Sequence, residues 1–435
     1  MDVVSALDNR LRWCFVAVGV SVSIGAGFMD YVLRQRVLVE FRGMPADRSA
    51  GLGSLLTSSS RHTAEVGKVL RRFNPDYNLA PVSHPVTAES RLLIGSNPFN
   101  VEPEMDLLHT APADAPGWSE TMFFHAWSPR ENVGVFVHTG RWPSDLDLWW
   151  AQVIALLPNG ELLVDRSWGR ATDDRGPATG NLKVTCTTPL RSWRLAFDGA
   201  GAICDLSAMA AGPVGAGPAR RLSFDLELEA AAPVWDLHGA LGIDRLSWAS
   251  FHHNQGFRTK GSLTAGSQRW DIDGVAIRDH SSGPRDVGQL GGLHFLLLVF
   301  PESGRVVNGL VNWRQDGRVD HRTFCTQQAG VCEVGTDVRV TGLHSVATHE
   351  PRSMDITLQR ADHSSEVLKA TWLHGYSLTY LQPNENINGV DVVTQPDPLI
   401  VTQSTVRVVA PDGEVGYGVI ERDYRPSALP STEER

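Results

Sequence analysis

The chain is short of cysteine, of basic charge and of long apolar runs, and each shortage removes a class of protein. Its 5 cysteines, Cys14, Cys186, Cys204, Cys325 and Cys332, are sparse, odd in number and free of any Cys-x-x-Cys pair. That argues against a disulfide scaffold or a zinc ribbon. Cys325 and Cys332 are spaced to meet across a hairpin, but free thiols in a reducing cytosol are the expected state. Lys and Arg number 39 against 49 Asp and Glu, a net charge of -10. No basic stripe is present to release counterions from phosphates, so no nucleic-acid partner is expected. The chain has no Gly-x-Ser-x-Gly elbow and no Gly-x-x-x-x-Gly-Lys phosphate loop. No glycine fingerprint precedes Val275–Asp279. No cofactor is expected.

A helical membrane span needs ~20 apolar residues. Phe15–Phe28 comes nearest, but it is short, rich in Gly and Ser, and followed by Asp30. The stretch before it sets Asp2 and Asp8 against Arg10 and Arg12, without the positive excess of a signal peptide. Residues 13–33 are the one place for membrane contact; a surface helix or loose extension is the competing reading. The expected compartment is the cytoplasm, with membrane association or export through this segment as the alternative.

What is present is β signal and tryptophan. The 435 residues suffice for two or three domains. Hydrophobic residues make up 42% and charged residues 20%, enough to build a sizeable core. Twelve of the 13 Trp lie after residue 100. Residues 1–90 differ from the rest: Ser54–Ser60 is Ser-rich, and Val66, Val69, Leu70 and Phe73 fall at helical spacing. They are expected as a partly helical or poorly ordered extension.

From Trp118 onward short alternating segments follow one another, separated by Gly, Pro, Asn and Asp turns. Leu148–Leu157 is apolar on both alternating faces, as a strand buried on both sides is. Leu157-Pro158-Asn159-Gly160 reads as a hairpin turn into Glu161–Asp165. The pattern restarts after Trp248, with Leu293–Phe300 and Arg305–Trp313 as its clearest strands. The expectation is an all-β protein of two lipocalin-like barrel or sandwich domains. Their expected bounds are 91–247 and 248–425, with a flexible tail at 426–435.

The chemistry-bearing stretch is Arg278-Asp279-His280-Ser281-Ser282-Gly283-Pro284-Arg285, read as a turn before the apolar strand Leu293–Phe300. A carboxyl buried against apolar walls keeps its proton at neutral pH. Asp279 is therefore a candidate acid, and a salt bridge from Asp279 to Arg278 or Arg285 is the plain alternative. His280 and His253 are candidate second proton-transfer groups, with His252, His125 and His238 behind them. Trp127, Trp150, Trp168, Trp235, Phe257 and Trp313 are candidate lining for an apolar substrate cavity, each also an ordinary core residue. No Asp, Glu or His set has metal spacing, and adjacent His residues point opposite ways on a strand, so no metal is expected.

With these motifs in view the chain resembles the two-domain lipocalin-like superfamily of AttH-type proteins and carotenoid hydratases. The carrying residues are Trp118–Trp127, Gly140–Pro143, Val164–Arg170, Val234–His238 and Arg278–Arg285. The likeness is closest to a bacterial branch, and Ser282 stands where relatives commonly carry Trp. It implies two β-barrel-like domains around a ligand cavity, hydration or cyclisation of isoprenoids in some members, and Asp279 as proton donor. The expected function is a hydratase, dehydratase or cyclase acting on an apolar isoprenoid-like or lipid substrate. The alternative is a carrier that binds an apolar small molecule without turning it over. Residues and spacing leave the oligomeric state open.

Overall fold

The computed structural model describes residues 91–428, apart from 114–115, 245, 345–349 and 382–383. The expected extension over 1–90, its apolar segment 13–33 and most of the tail 426–435 lie outside the described residues.

The fold is all-β. The strands of its first half are β1 (Arg91–Ile94), β2 (Ser119–Ser128), β3 (Val133–Trp142), β4 (Asp145–Leu156), β5 (Glu161–Arg170), β6 (Leu182–Thr188), β7 (Ser192–Asp205), β8 (Ala219–Ala230), β9 (Trp235–Asp236), β10 (Phe251–Ala265) and β11 (Gln268–Gly283). The second half runs β12 (Leu290–Phe300), β13 (Arg305–Arg314), β14 (Val319–Gln328), β15 (Val331–Gly335), β16 (Asp337–His344), β17 (Pro351–Gln359), β18 (Ser365–Leu381), β19 (Glu385–Asn388), β20 (Leu399–Val409) and β21 (Val415–Tyr424). Two single-turn helices, α1 (Leu206–Ala211) and α2 (Leu237–Leu241), begin at the capping carboxylates of Asp205 and Asp236. Among the described residues no helix is long and apolar enough to cross a membrane.

All pairings are antiparallel and sort into two sheets. The first follows β11-β2-β3-β4-β5-β7-β8-β10, and β10 pairs back to β11, closing a barrel. The second follows β1-β15-β14-β13-β12-β21-β20-β18-β17-β16. The break between sheets therefore falls after Gly283, whereas the sequence placed it at 247/248. β1, expected with the first domain, pairs with β15 in the second sheet. The physical reason is register: β10 and β11 form one long hairpin whose backbone groups find partners on β8 and β2.

Three apolar layers result. Met122, Phe124, Val135, Val153 and Phe257 fill the barrel. Leu296, Leu298, Val338 and Ile356 fill the far side of the second sheet. Between the sheets lies a shared layer that joins Phe123, Phe136 and Ile154 of the barrel wall to Leu293, Phe295, Leu378 and Val401 of the facing sheet. That middle layer is why Leu148–Leu157 and Leu293–Phe300 are apolar on both faces: each strand packs one face into its own core and the other into the shared one. The turn after β4 is tight, with Asn159 and Gly160 both at positive φ. Cys325 and Cys332 meet across the β14–β15 hairpin as buried free thiols, Sγ atoms 2.8 Å apart.

Close strand packing makes Gly261 of β10 irreplaceable. It sits at φ +150, and a Cβ there would run into the backbone carbonyl of Asp225 on β8. Gly261→Ala should lower stability by about 2 kcal/mol or more, read as a reduced urea midpoint. An unchanged midpoint would contradict the close β8–β10 contact.

Candidate functional site

β11 is buried on both faces, so its pleat divides the motif. Arg278, His280 and Ser282 point into the barrel, while Asp279 and Ser281 point toward the second sheet. The Arg278–Gly283 stretch is strand and not the expected turn: its residues pair with Ser250–Gln255 on one side and Ser119–Phe124 on the other.

Asp279 lines a cavity of about 140 Å³ between the sheets. Phe123 of β2, Phe136 of β3 and Phe295 of β12 form apolar walls, and Trp248 and Leu293 add to them. The rings of Phe123 and Phe295 meet edge to face at 6.0 Å across the seam. A space this size holds a benzene-sized group. The polar groups gather at opposite sides. From the barrel, Asp279 accepts a hydrogen bond from His252 Nε2, and Asn254, with its amide nitrogen turned to the acid, donates to Asp279 Oδ2 at 2.7 Å. From the facing sheet, Glu421 and Asp423 of β21 project two residues apart, within hydrogen-bond reach of each other. Gln403 of β20 donates to Glu421 Oε2.

Burial governs the titration of these groups. It pushes Glu421 well above the ordinary carboxyl range, with the neighbouring charges of Asp423 and Asp279 adding to it. Burial likewise raises Asp423 to about 8. Burial thus favours the protonated form of both carboxyls. His138, which accepts from Asn386 Nδ2 at 2.9 Å, is pushed down to about 4 by burial and stays neutral.

The other expected site residues lie elsewhere. His280 and His253 are in the barrel mouth, on the opposite faces of β11 and β10 from Asp279 and His252. There His280 Nε2 donates to Glu120 Oε1 at 2.8 Å, and His253 packs on Phe251 at 4.0 Å between ring centroids. The barrel-mouth group brings His109 Nδ1, Glu120 Oε1 and His280 Nε2 within 4.8 Å of one another, a donor set able to hold a divalent ion. Glu120 is already engaged by Arg141 Nε at 2.8 Å and the His109 backbone N–H at 3.0 Å. Arg278 is paired inside the barrel with Asp106, over the ring of Trp193. The expected salt bridge from Asp279 to Arg278 or Arg285 is not among the ion pairs of the described residues.

None of the six expected aromatic residues lines the cavity. Trp127 and Trp235 fill the shared layer, Phe257 fills the barrel, and Trp313 packs with His294 in a satellite cluster. Trp168 is 40% exposed under Arg166. Trp150 stands one layer back, donating Nε1–H to the Asn384 carbonyl at 2.8 Å. The lining aromatics are instead Phe123, Phe136, Trp248, Phe295 and Tyr380. Sequence reasoning missed Glu421 and Asp423. The available signal was two acids two residues apart on the same face as Val419, in a strand otherwise apolar on that face.

The raised acids set a pH signature. An acid with a raised folded pKa contributes stability below the ordinary carboxyl value, 3.8 for Asp423, and loses it as pH climbs to about 8. Buried imidazoles run the other way: His125, lowered to about 3, and His138 lose their contribution as pH falls from 6.5. Between pH 6.5 and 8 the acid pair therefore sets the slope. The melting temperature should fall over that window in the wild type and fall less steeply in Asp423→Asn, where Glu421 alone remains. A flat wild-type profile would contradict the raised pair.

No curated protein matches the sequence. Among solved structures the chain is similar to an AttH-type protein from Nitrosomonas europaea, at 14% identity and a TM-score of 0.48, covering 73% of this chain and 95% of that one. It is also similar to kievitone hydratase from Nectria haematococca, at 13% identity and a TM-score of 0.47, covering 78% and 97%. A further similar structure is CghA with Sch210972, at 11% identity and a TM-score of 0.44, covering 78% and 100%. Residues 102–423 match the family described as Domain of unknown function (DUF7064), and the chain belongs to that family.

Proposed function

We propose that this protein is a hydratase, dehydratase or cyclase that starts its reaction by protonating an alkene or tertiary alcohol of an apolar, isoprenoid-like substrate. The observation that carries the reading is the opposition of acids across an apolar seam, Glu421 and Asp423 from one sheet and Asp279 with His252 from the other. An acid kept protonated in a dry cavity is the group such chemistry requires.

In hydration, Glu421 delivers its proton to an alkene carbon, leaving a tertiary cation against the π faces of Phe123, Phe136 and Phe295. Water adds to the cation, and the proton it sheds passes to the Asp279–His252 pair. Solvent exchange then takes that proton from the pair and returns one to Glu421, so the net change is one water added. Dehydration is the same path reversed, and capture of the cation by a second alkene gives cyclisation. The sequence offered Asp279 as the donor; in this reading Asp279 receives, because Glu421 is the acid whose proton burial retains. A cavity of about 140 Å³ admits the reacting end of a substrate and leaves the rest of a long chain outside it.

The test is oxygen exchange between heavy-oxygen water and dimethyl vinyl carbinol, a tertiary allylic alcohol small enough for the cavity. Exchange should exceed the buffer rate and weaken above pH 8, where Asp423 beside the donor ionises. It should drop at least ~10²-fold in Glu421→Gln and in Asp279→Asn. Exchange no faster than in buffer, with the alcohol still bound, would instead establish the carrier reading.

A further inference from the structure

We infer that Arg285 forms an anion subsite in the inter-sheet cavity, so that the ligand taken there is an apolar molecule bearing a carboxylate or an acidic enol or phenol oxygen. This rests on the reading of the cavity as the ligand site and adds to it the chemical class of the ligand's head.

Arg285 lies on the connection between β11 and β12, just after Gly283-Pro284. Its backbone is left-handed at φ 56, a conformation that non-glycine residues rarely adopt. The bend returns the side chain beneath β11 into the cavity wall, where the residue is only 6% exposed. There the guanidinium is held by neutral oxygens. Nη1 donates to Ser281 Oγ at 3.0 Å and to the Trp248 carbonyl at 3.4 Å. Nη2 donates to the Ser281 carbonyl at 2.6 Å and to Thr121 Oγ1 at 3.0 Å. Nε is buried without a hydrogen-bond partner.

No carboxylate of the described residues forms an ion pair with Arg285. Desolvation lowers its pKa from the ordinary arginine value, and Tyr380, Asp279 and Glu120 offset this only in part. A buried guanidinium without a contacting counter-ion is costly, and Arg278, buried on β11, has Asp106. A ligand oxyanion at Arg285 would supply the missing charge. Of the acids that line the cavity, Glu421 and Asp423 are pushed toward their neutral forms by burial, and Asp279 is engaged by His252 and Asn254. The four Nη N–H bonds are taken by protein oxygens, so Nε is the donor left for a ligand oxyanion.

The probes are benzoate and its neutral isostere benzyl alcohol, titrated calorimetrically into the full chain at pH 7. The wild type should bind benzoate at least tenfold more tightly than benzyl alcohol. Arg285→Met should erase that preference while keeping the alcohol, and Arg285→Lys should retain part of it. Should Arg285→Met fail to fold, Arg285→Gln, which keeps hydrogen-bonding capacity and removes the charge, should erase the preference in its place. Glu421→Gln, which abolishes the proposed turnover, should leave the preference intact, so loss of catalysis and loss of the anion subsite are read separately. Equal affinities in the wild type, absent benzoate binding, or a preference undiminished in the variants that fold would overturn the subsite.

Discussion

The constraint on which the rest depends is the burial of β11 on both faces. A strand alternates its side chains between two sides, and here both sides are protein: the barrel interior and the facing sheet. Neighbouring residues therefore enter separate environments that share no solvent. Arg278 and His280 join a compensated polar group with Asp106, Glu120 and Arg141. Asp279 and Ser281, one residue along in each case, enter an apolar seam. β10 divides in the same way, which is why His252 accompanies Asp279 and His253 accompanies His280.

That division produces two electrostatic regimes. In the barrel mouth each charge has a contacting counter-charge, and the arrangement closes the end of the barrel. In the seam the charges are separated. Two neutralised acids stand on β21, a carboxyl–imidazole pair on the barrel wall, and a guanidinium held by uncharged oxygens on the connecting loop. Such an arrangement is costly to a fold and is expected where a ligand completes it. The shared apolar layer around the cavity buries these groups and weakens their screening by solvent.

Much of the fold was legible because it is local. The double-sided apolar run Leu148–Leu157, the Leu157–Gly160 turn and the alternation in Arg305–Trp313 each announce themselves within a dozen residues. Ser281-Ser282-Gly283-Pro284 misled for the same reason. It has the composition of a loop, but its first three residues are held by partners on β2 and β10, and β2 is remote in the chain. Asp279 was legible as an acid beside apolar strands. Its counterparts Glu421 and Asp423 were not, because only the pairing of β21 with β12 and β20 carries them to the seam. The aromatic lining was misjudged on physical grounds as well. Large indoles such as Trp127 and Trp235 fill the densest layers, and the cavity is left to the smaller phenyl rings.

The central claim is that an acid proton is retained in the seam at neutral pH, and infrared spectroscopy reads it directly. At pH 7 the wild type should show a protonated-carboxyl stretch that shifts on transfer to heavy water. The band should weaken as pH passes about 8, where Asp423 ionises, and be missing from the Glu421→Gln, Asp423→Asn double variant. A wild-type spectrum at pH 7 with ionised carboxylates alone would contradict the account.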